Sequence, residues 1–172
     1  MRRRTMVMLT LSAMLLAVGY ATASPPATQK DADEGLVGAW RSRVQFESGA
    51  FASVKDLEFL YAFNEGGTMT ESSNYDASPP VPPAYGVWRR IQPRVYEAKY
   101  VFFLSKAPKA IADITAGGGW LPGGSGVLVE KITLAEDGKS FKSSIRLDIV
   151  DETGKTIESN SAAQGQAIRI TL

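Results

Sequence analysis

Residues 57–73, LEFLYAFNEGGTMTESS, contain two stretches of strand-like sequence joined by a tight turn. The turn is Asn64-Glu65-Gly66-Gly67, which supplies the residue types that hairpin geometry needs. The first stretch places apolar side chains at every second position, so they share one face of a strand: Leu57, Phe59, Tyr61 and Phe63. The facing of the second, Thr/Ser-rich stretch stays open at this stage. The segment therefore predicts an antiparallel hairpin.

The same period of two continues through the chain from Gly35 onward, and no amphipathic helix is evident beyond a turn near residues 107–114. Eight strands are predicted, at 38–47, 57–63, 67–73, 85–91, 96–104, 127–134, 141–149 and 162–172. The chain is therefore expected to be all-β.

The connections between these strands alternate in length. Short turns join strands two to three, four to five and six to seven, at 64–67, 92–93 and 136–139. Long connections join strands one to two, three to four and five to six, at 48–56, 74–84 and 105–125. In an up-and-down meander, alternate connections lie at opposite ends, and eight strands that close on themselves leave no exposed edge. We expect an eight-stranded antiparallel up-and-down β-barrel, with one end closed by short turns and the other rimmed by long loops.

The N-terminal residues are expected to lie outside this domain. Residues 1–23 combine three arginines, a short apolar core and an Ala-Thr-Ala cleavage pattern, as in a secretory signal peptide. Residues 24–34 read as a flexible polar leader, and residues 35–172 as the barrel domain. The protein is thus expected to be exported, either periplasmic or secreted, with no stable membrane insertion after signal cleavage.

Composition excludes several classes of function. The 172 residues include no Cys and no His, which removes disulfides, thiolate metal sites and catalytic triads that use His. Loss of the three signal arginines turns the net charge of +1 negative, so a nucleic-acid partner is not expected. No metal and no cofactor are predicted.

Two positions resemble the lipocalin-like (calycin) barrels. Gly38-Ala39-Trp40 matches their Gly-x-Trp motif at the start of strand one, and Arg169 lies on the last strand. The resemblance implies that Trp40 closes one barrel end, that Arg169 packs across it, and that the barrel holds an apolar ligand. The family's usual C-terminal helix is not predicted and its common disulfide is impossible. Allene-oxide-cyclase-like and dirigent-like barrels share the strand count and are the alternative relatives.

The side chains predicted to face the interior form the candidate binding site. They are Phe46, Phe59, Tyr61, Phe63, Tyr96, Tyr100, Phe102 and Ile145. Trp120, within the glycine-rich segment 116–126, is added as a candidate at the barrel mouth. These residues would either line an apolar pocket with Tyr hydroxyls as polar anchors or simply fill the barrel.

Three hypotheses for function follow. The favoured one is binding of a small hydrophobic ligand, with no catalytic residue assigned. The second is a cyclase or isomerase on the same barrel that steers a reactive lipid-like intermediate by shape, helped by Glu130 and a Tyr. An inward, buried carboxylate next to a sizeable cavity would favour it, and the facing of Glu130 depends on which residues of strand six point inward. The third is a solid barrel that acts as a secreted protein-interaction module.

Overall fold

The computed structural model describes residues 35–75, 81–112 and 121–172. It contains the eight predicted strands in chain order: β1 Gly38–Phe46, β2 Leu57–Phe63, β3 Thr68–Ser73, β4 Ala84–Gln92, β5 Val95–Lys106, β6 Leu121–Leu134, β7 Ser140–Val150 and β8 Thr156–Arg169. The predicted signal peptide and leader, together with Trp120, lie outside the described residues.

The sheet is a closed barrel in which each strand pairs antiparallel with the next. Closure is made by β8, which pairs with β1 from Trp40 opposite Arg169 to Phe46 opposite Ala163. The fold class predicted from the period of two is therefore confirmed. Within the described residues, no helix is long and apolar enough to cross a membrane.

Inward-facing side chains pack the closed end of the barrel with aromatic rings. Trp40 lies 5.0 Å from Phe141, Phe63 lies 6.0 Å from Trp88, and Trp88 lies 5.7 Å from Tyr96, each measured between ring centroids. All five side chains are at most 5% exposed. Rings at these distances and tilts contribute stability beyond the area they bury.

Arg169 covers the closed end from the last strand. Its guanidinium carbon lies 4.1 Å from the Trp40 ring centroid, and its nitrogens donate hydrogen bonds to the carbonyl oxygens of Gly35, Val37 and Gly138 at 2.6, 2.7 and 2.9 Å. The Trp40 indole N–H donates to the Leu36 carbonyl at 2.8 Å. These contacts tie the segment before β1 to the β6–β7 turn.

Strand β6 begins earlier than predicted, because part of the glycine-rich segment is strand. Residues 121–126 pair with the end of β5, where Phe102 lies opposite Gly126. A Cβ on Gly126 would lie 2.2 Å from the Phe102 ring, so the absence of a side chain lets that ring lie against β6. The connection predicted at 105–125 is therefore shorter, because β5 extends to Lys106 and β6 begins at Leu121.

Strand β8 also begins earlier than predicted, and its bulky apolar residues face outward. Ile157 and Ile168 are each 63% exposed, and Ile170, predicted within this strand, follows its end at Arg169. The inward positions of β8 are small, namely Ser161, Ala163, Gly165 and Ala167. Small side chains on this wall leave room for the aromatic rings of β2 and β5 in a narrow barrel.

Candidate functional site

A pocket opens inside the barrel at the long-loop end. Its lining is mostly apolar and comprises Phe46, Phe51, Leu57, Phe59, Glu71, Ser73, Tyr75, Val81, Phe102, Leu128 and Leu147. The cavity volume, counted over the positions open to the centre of a water molecule, is about 30 Å³. This space holds about two waters. The free barrel is thus nearly filled, and a larger guest would have to displace side chains.

The side chains that could move lie at the outer side of this pocket. Phe51 comes from the β1–β2 connection and Tyr75 follows β3, and both are partly exposed. The Phe51 ring lies 5.4 Å from Phe46 and 5.2 Å, edge-on, from Tyr75. Deeper in the barrel, Phe59 and Leu128 are buried on strands. The pocket therefore has a rigid floor and an outer side formed by loop residues.

Among the described residues of the lining, Glu71 is the one charged side chain, and it is only 6% exposed. The hairpin register places it opposite Tyr61 on the inner face of the sheet. Its Oε1 atom has no hydrogen-bond partner. Burial removes the hydration of the carboxylate and, together with the negative charge of Glu130, raises the pKa of Glu71 to about 8. The carboxyl is therefore mostly protonated at pH 7.

A buried polar cluster continues from Glu71 into the barrel. The Tyr61 and Tyr100 hydroxyls lie 3.5 Å apart, and the Tyr100 hydroxyl donates to Glu130 Oε2 at 2.9 Å. Glu130 is fully buried, so desolvation raises its pKa despite the opposing effect of nearby hydroxyl groups. The second oxygen of Glu130 and the Ser143 hydroxyl have no hydrogen bond of ordinary geometry. Burial also raises the pKa of both tyrosines, so both phenols stay protonated.

The interior acids have no basic counterpart. Among the described residues, the buried polar and charged side chains are Ser42, Glu71, Glu130, Ser143 and Ser161, with no Lys or Arg. An acid without a cationic partner in an apolar interior has a raised pKa, and a ligand of opposite charge would lower it. The same part of the chain holds no group of three potential metal-binding side chains.

The structure distributes the sequence-predicted site residues over three regions. Phe46, Phe59 and Phe102 line the pocket. Tyr61 and Tyr100 belong to the polar cluster. The remaining described candidates, Phe63, Tyr96 and Ile145, lie in the packed core and do not line the pocket.

The sequence left the facing of Glu130 open and gave Glu71 no role. Glu130 faces inward together with Leu128 and Ile132. Glu71 could have been found by extending the hairpin register from the 64–67 turn, since Phe63 opposite Met69 places Tyr61 opposite Glu71. The Thr/Ser-rich sequence around Glu71 gave no apolar pattern that would have identified the inner face.

Comparison with known proteins finds no matching family model, no matching curated protein and no matching solved structure. The closed antiparallel barrel is consistent with a lipocalin-like fold. The function is therefore inferred from the barrel and its pocket.

Proposed function

We propose that this chain is an exported small β-barrel protein that binds one small, predominantly apolar molecule inside the barrel. The observation that carries the proposal is the pocket at the long-loop end, with its aromatic and aliphatic lining and a single carboxyl group. Concave apolar sites with few, well-placed polar groups are typical of small-molecule binding, and the mouth of a barrel is a frequent location.

The small volume of the free pocket limits what it can bind. A ligand larger than about two waters gains contact with the rings of Phe46, Phe59 and Phe102 only if Phe51 or Tyr75 moves outward. Both of these side chains are partly exposed and belong to connections rather than to strands. Their displacement costs less than opening the strand-borne core, so we expect small guests of up to about three rings.

Family and export are parts of the same proposal. A relationship to the lipocalin-like barrels is supported by Arg169 lying over Trp40 at the closed end, as the resemblance implied. Export is supported by the composition of residues 1–23. A periplasmic or secreted carrier or sensor of an apolar molecule fits both features.

Fluorescence titration with N-phenyl-1-naphthylamine, a neutral probe that brightens in apolar surroundings, tests the proposal. We expect saturation at one probe per chain. A matched pair of variants locates the site: Ser73 lines the pocket, whereas its neighbour Ser72 is exposed. Ser73→Phe should weaken probe binding at least tenfold, and Ser72→Phe should leave it unchanged. Absence of saturable binding to the folded protein would refute the proposal and favour a protein-interaction role for the outer surface.

A second candidate, an isomerase or cyclase, is favoured by one observation. Glu71 combines access to the pocket with a pKa of about 8, which suits proton transfer near neutral pH. Glu130, the carboxylate suggested by the sequence, is fully buried and does not line the pocket. The conversion of a small β,γ-unsaturated ketone to its conjugated isomer, followed by absorbance, tests this role. Turnover by the unmodified protein that is lost in Glu71→Gln would indicate an enzyme. Recovery of unchanged ketone from the unmodified protein would favour the binding role.

A further inference from the structure

We propose that the pocket takes a ligand with an apolar, ring-sized body and one protonated amino group, which pairs with the Glu71 carboxylate. This inference rests on the proposed function, because it specifies the chemistry of the molecule bound at the same site. It follows from three features of the barrel interior: an unpartnered acid, the absence of a compensating base, and aromatic rings around the acid.

The first feature is the unsatisfied oxygen of Glu71. Oε1 is buried and accepts no hydrogen bond, although the residue lines the pocket. Nearly all buried polar atoms in folded proteins have partners, so an exception in a pocket indicates a position that a ligand donor can fill. An ammonium group carries up to three donors and no acceptor, which matches the acceptor-only carboxylate that forms when Glu71 releases its proton.

The second feature is the sign of the charge inside the barrel. Glu71 and Glu130 are both acids, and each retains a buried oxygen without a partner. Among the described residues, no Lys or Arg is buried with them. An anionic ligand group would add a like charge beside these acids, and a neutral group would not favour the ionised form of either carboxyl. A cation is the one ligand charge that these surroundings favour.

The third feature is the aromatic character of the lining. Five of the lining side chains are aromatic: Phe46, Phe51, Phe59, Tyr75 and Phe102. The faces of such rings attract cations as well as apolar surface. The lining thus offers favourable contacts to both the amino group and the apolar body of such a ligand. For a ligand with the same body and a carboxylate, only the apolar body finds favourable contacts.

Proton balance gives the binding a distinctive pH profile. The free Glu71 carboxyl is mostly protonated below pH 8, so binding of an ammonium ion there releases one proton from the carboxyl to solvent. The fraction of ionised carboxyl falls about tenfold between pH 9 and pH 7, and the apparent affinity falls with it. Above about pH 10 the amine itself loses its charge. The affinity should therefore be highest between these two pKa values.

Competition against N-phenyl-1-naphthylamine tests the inference with three compounds that share one aromatic body. They are 2-phenylethylamine, 2-phenylethanol and 3-phenylpropanoate. At pH 9 the amine should displace the probe at a concentration at least tenfold lower than the alcohol. The carboxylate should need the highest concentration of the three. Lowering the pH from 9 to 7 should weaken the amine about tenfold and should not weaken the alcohol.

Two variants complete the test. In Glu71→Gln, competition against the probe should lose both the preference for the amine and its pH dependence. Glu97→Gln, the same substitution on the outer face of β5, should retain both. If Glu71→Gln does not fold, the pH profile of the unmodified protein decides. If the probe binds saturably but the alcohol and the amine compete equally, the inference is overturned and the proposed function stands. If the probe shows no saturable binding, both are overturned.

Discussion

Replacing Glu71 by glutamine should make the free barrel more stable at neutral pH. Glutamine has nearly the same shape but cannot ionise, so the variant removes the free-energy cost of protonating this carboxyl when the chain folds at neutral pH. The pKa of Glu71 is about 8 in the folded barrel against an ordinary value of 4.5. The folded chain therefore binds more protons than the unfolded chain between these values, and its stability falls as the pH rises through this window.

The size of the effect follows from the width of the window. Each pH unit between 4.5 and 8 lowers the free energy of unfolding by about 1.4 kcal/mol. At pH 7 the accumulated loss is about 3 kcal/mol, which Glu71→Gln should recover. At pH 4 the carboxyl is protonated in both states, so the two proteins should be nearly equally stable. Because burial also raises the pKa of Glu130, the variant should retain part of the slope.

Urea unfolding at pH 4, 7 and 8.5, followed by the fluorescence of the buried Trp40 and Trp88, measures this difference. Glu97→Gln serves as the control. Its carboxylate makes a solvent-exposed ion pair with Arg89 at 2.7 Å, so its removal should change stability by less than about 1 kcal/mol at neutral pH. A Glu71→Gln protein that is no more stable than the unmodified barrel at pH 7 would show that Glu71 is already ionised and compensated, contrary to our reasoning.

Three further predictions concern the fold and the processing of the chain. Trp40→Ala should lower the free energy of unfolding by about 3–5 kcal/mol. Arg169→Ala should lower it by only about 1–3 kcal/mol, because solvent can rehydrate the carbonyls that the guanidinium leaves. An unchanged free energy of unfolding for either variant in urea titrations would contradict the closed-end packing. Gly126→Ala should cost about 1–3 kcal/mol and weaken probe binding, because the new Cβ would meet the Phe102 ring at 2.2 Å; an unchanged probe titration would contradict this packing. Mass spectrometry of the protein recovered from the cells that produce it should find an N-terminus at Ser24, and an intact residue 1 would contradict signal cleavage.

The barrel could be predicted because its strands alternate strictly and its turns differ in length. Leu57, Phe59 and Phe63 follow a period of two that only a strand produces, and the turn after Phe63 contains two glycines. The predicted strand boundaries were wrong where the side chains are small. Residues 121–126 carry three glycines and still pair with the end of β5, while residues 125–126 also pair with β7, because a closed barrel supplies partner strands.

The site was harder to predict than the fold, because it depends on volume and register rather than on pattern. Periodicity correctly put Phe46, Tyr96 and Phe102 on the inner face, but it could not tell that Phe46 and Phe102 line a pocket and Tyr96 does not. Glu71 lies in a polar strand whose own sequence does not mark its inner face. Its position follows from pairing across the 64–67 hairpin, which puts it opposite Tyr61.

The titration of Glu71 itself tests the central claim most directly. In protein labelled with ¹³C at the glutamate carboxyl groups, the resonance that disappears in Glu71→Gln identifies this residue. We predict a midpoint near pH 8 in the free protein. With saturating 2-phenylethylamine the midpoint should fall to between about 5 and 7, because the ammonium group favours the ionised carboxyl. A midpoint near 4.5 without ligand, or one that saturating amine leaves unmoved, would contradict an acid held neutral in an apolar pocket for a cationic guest.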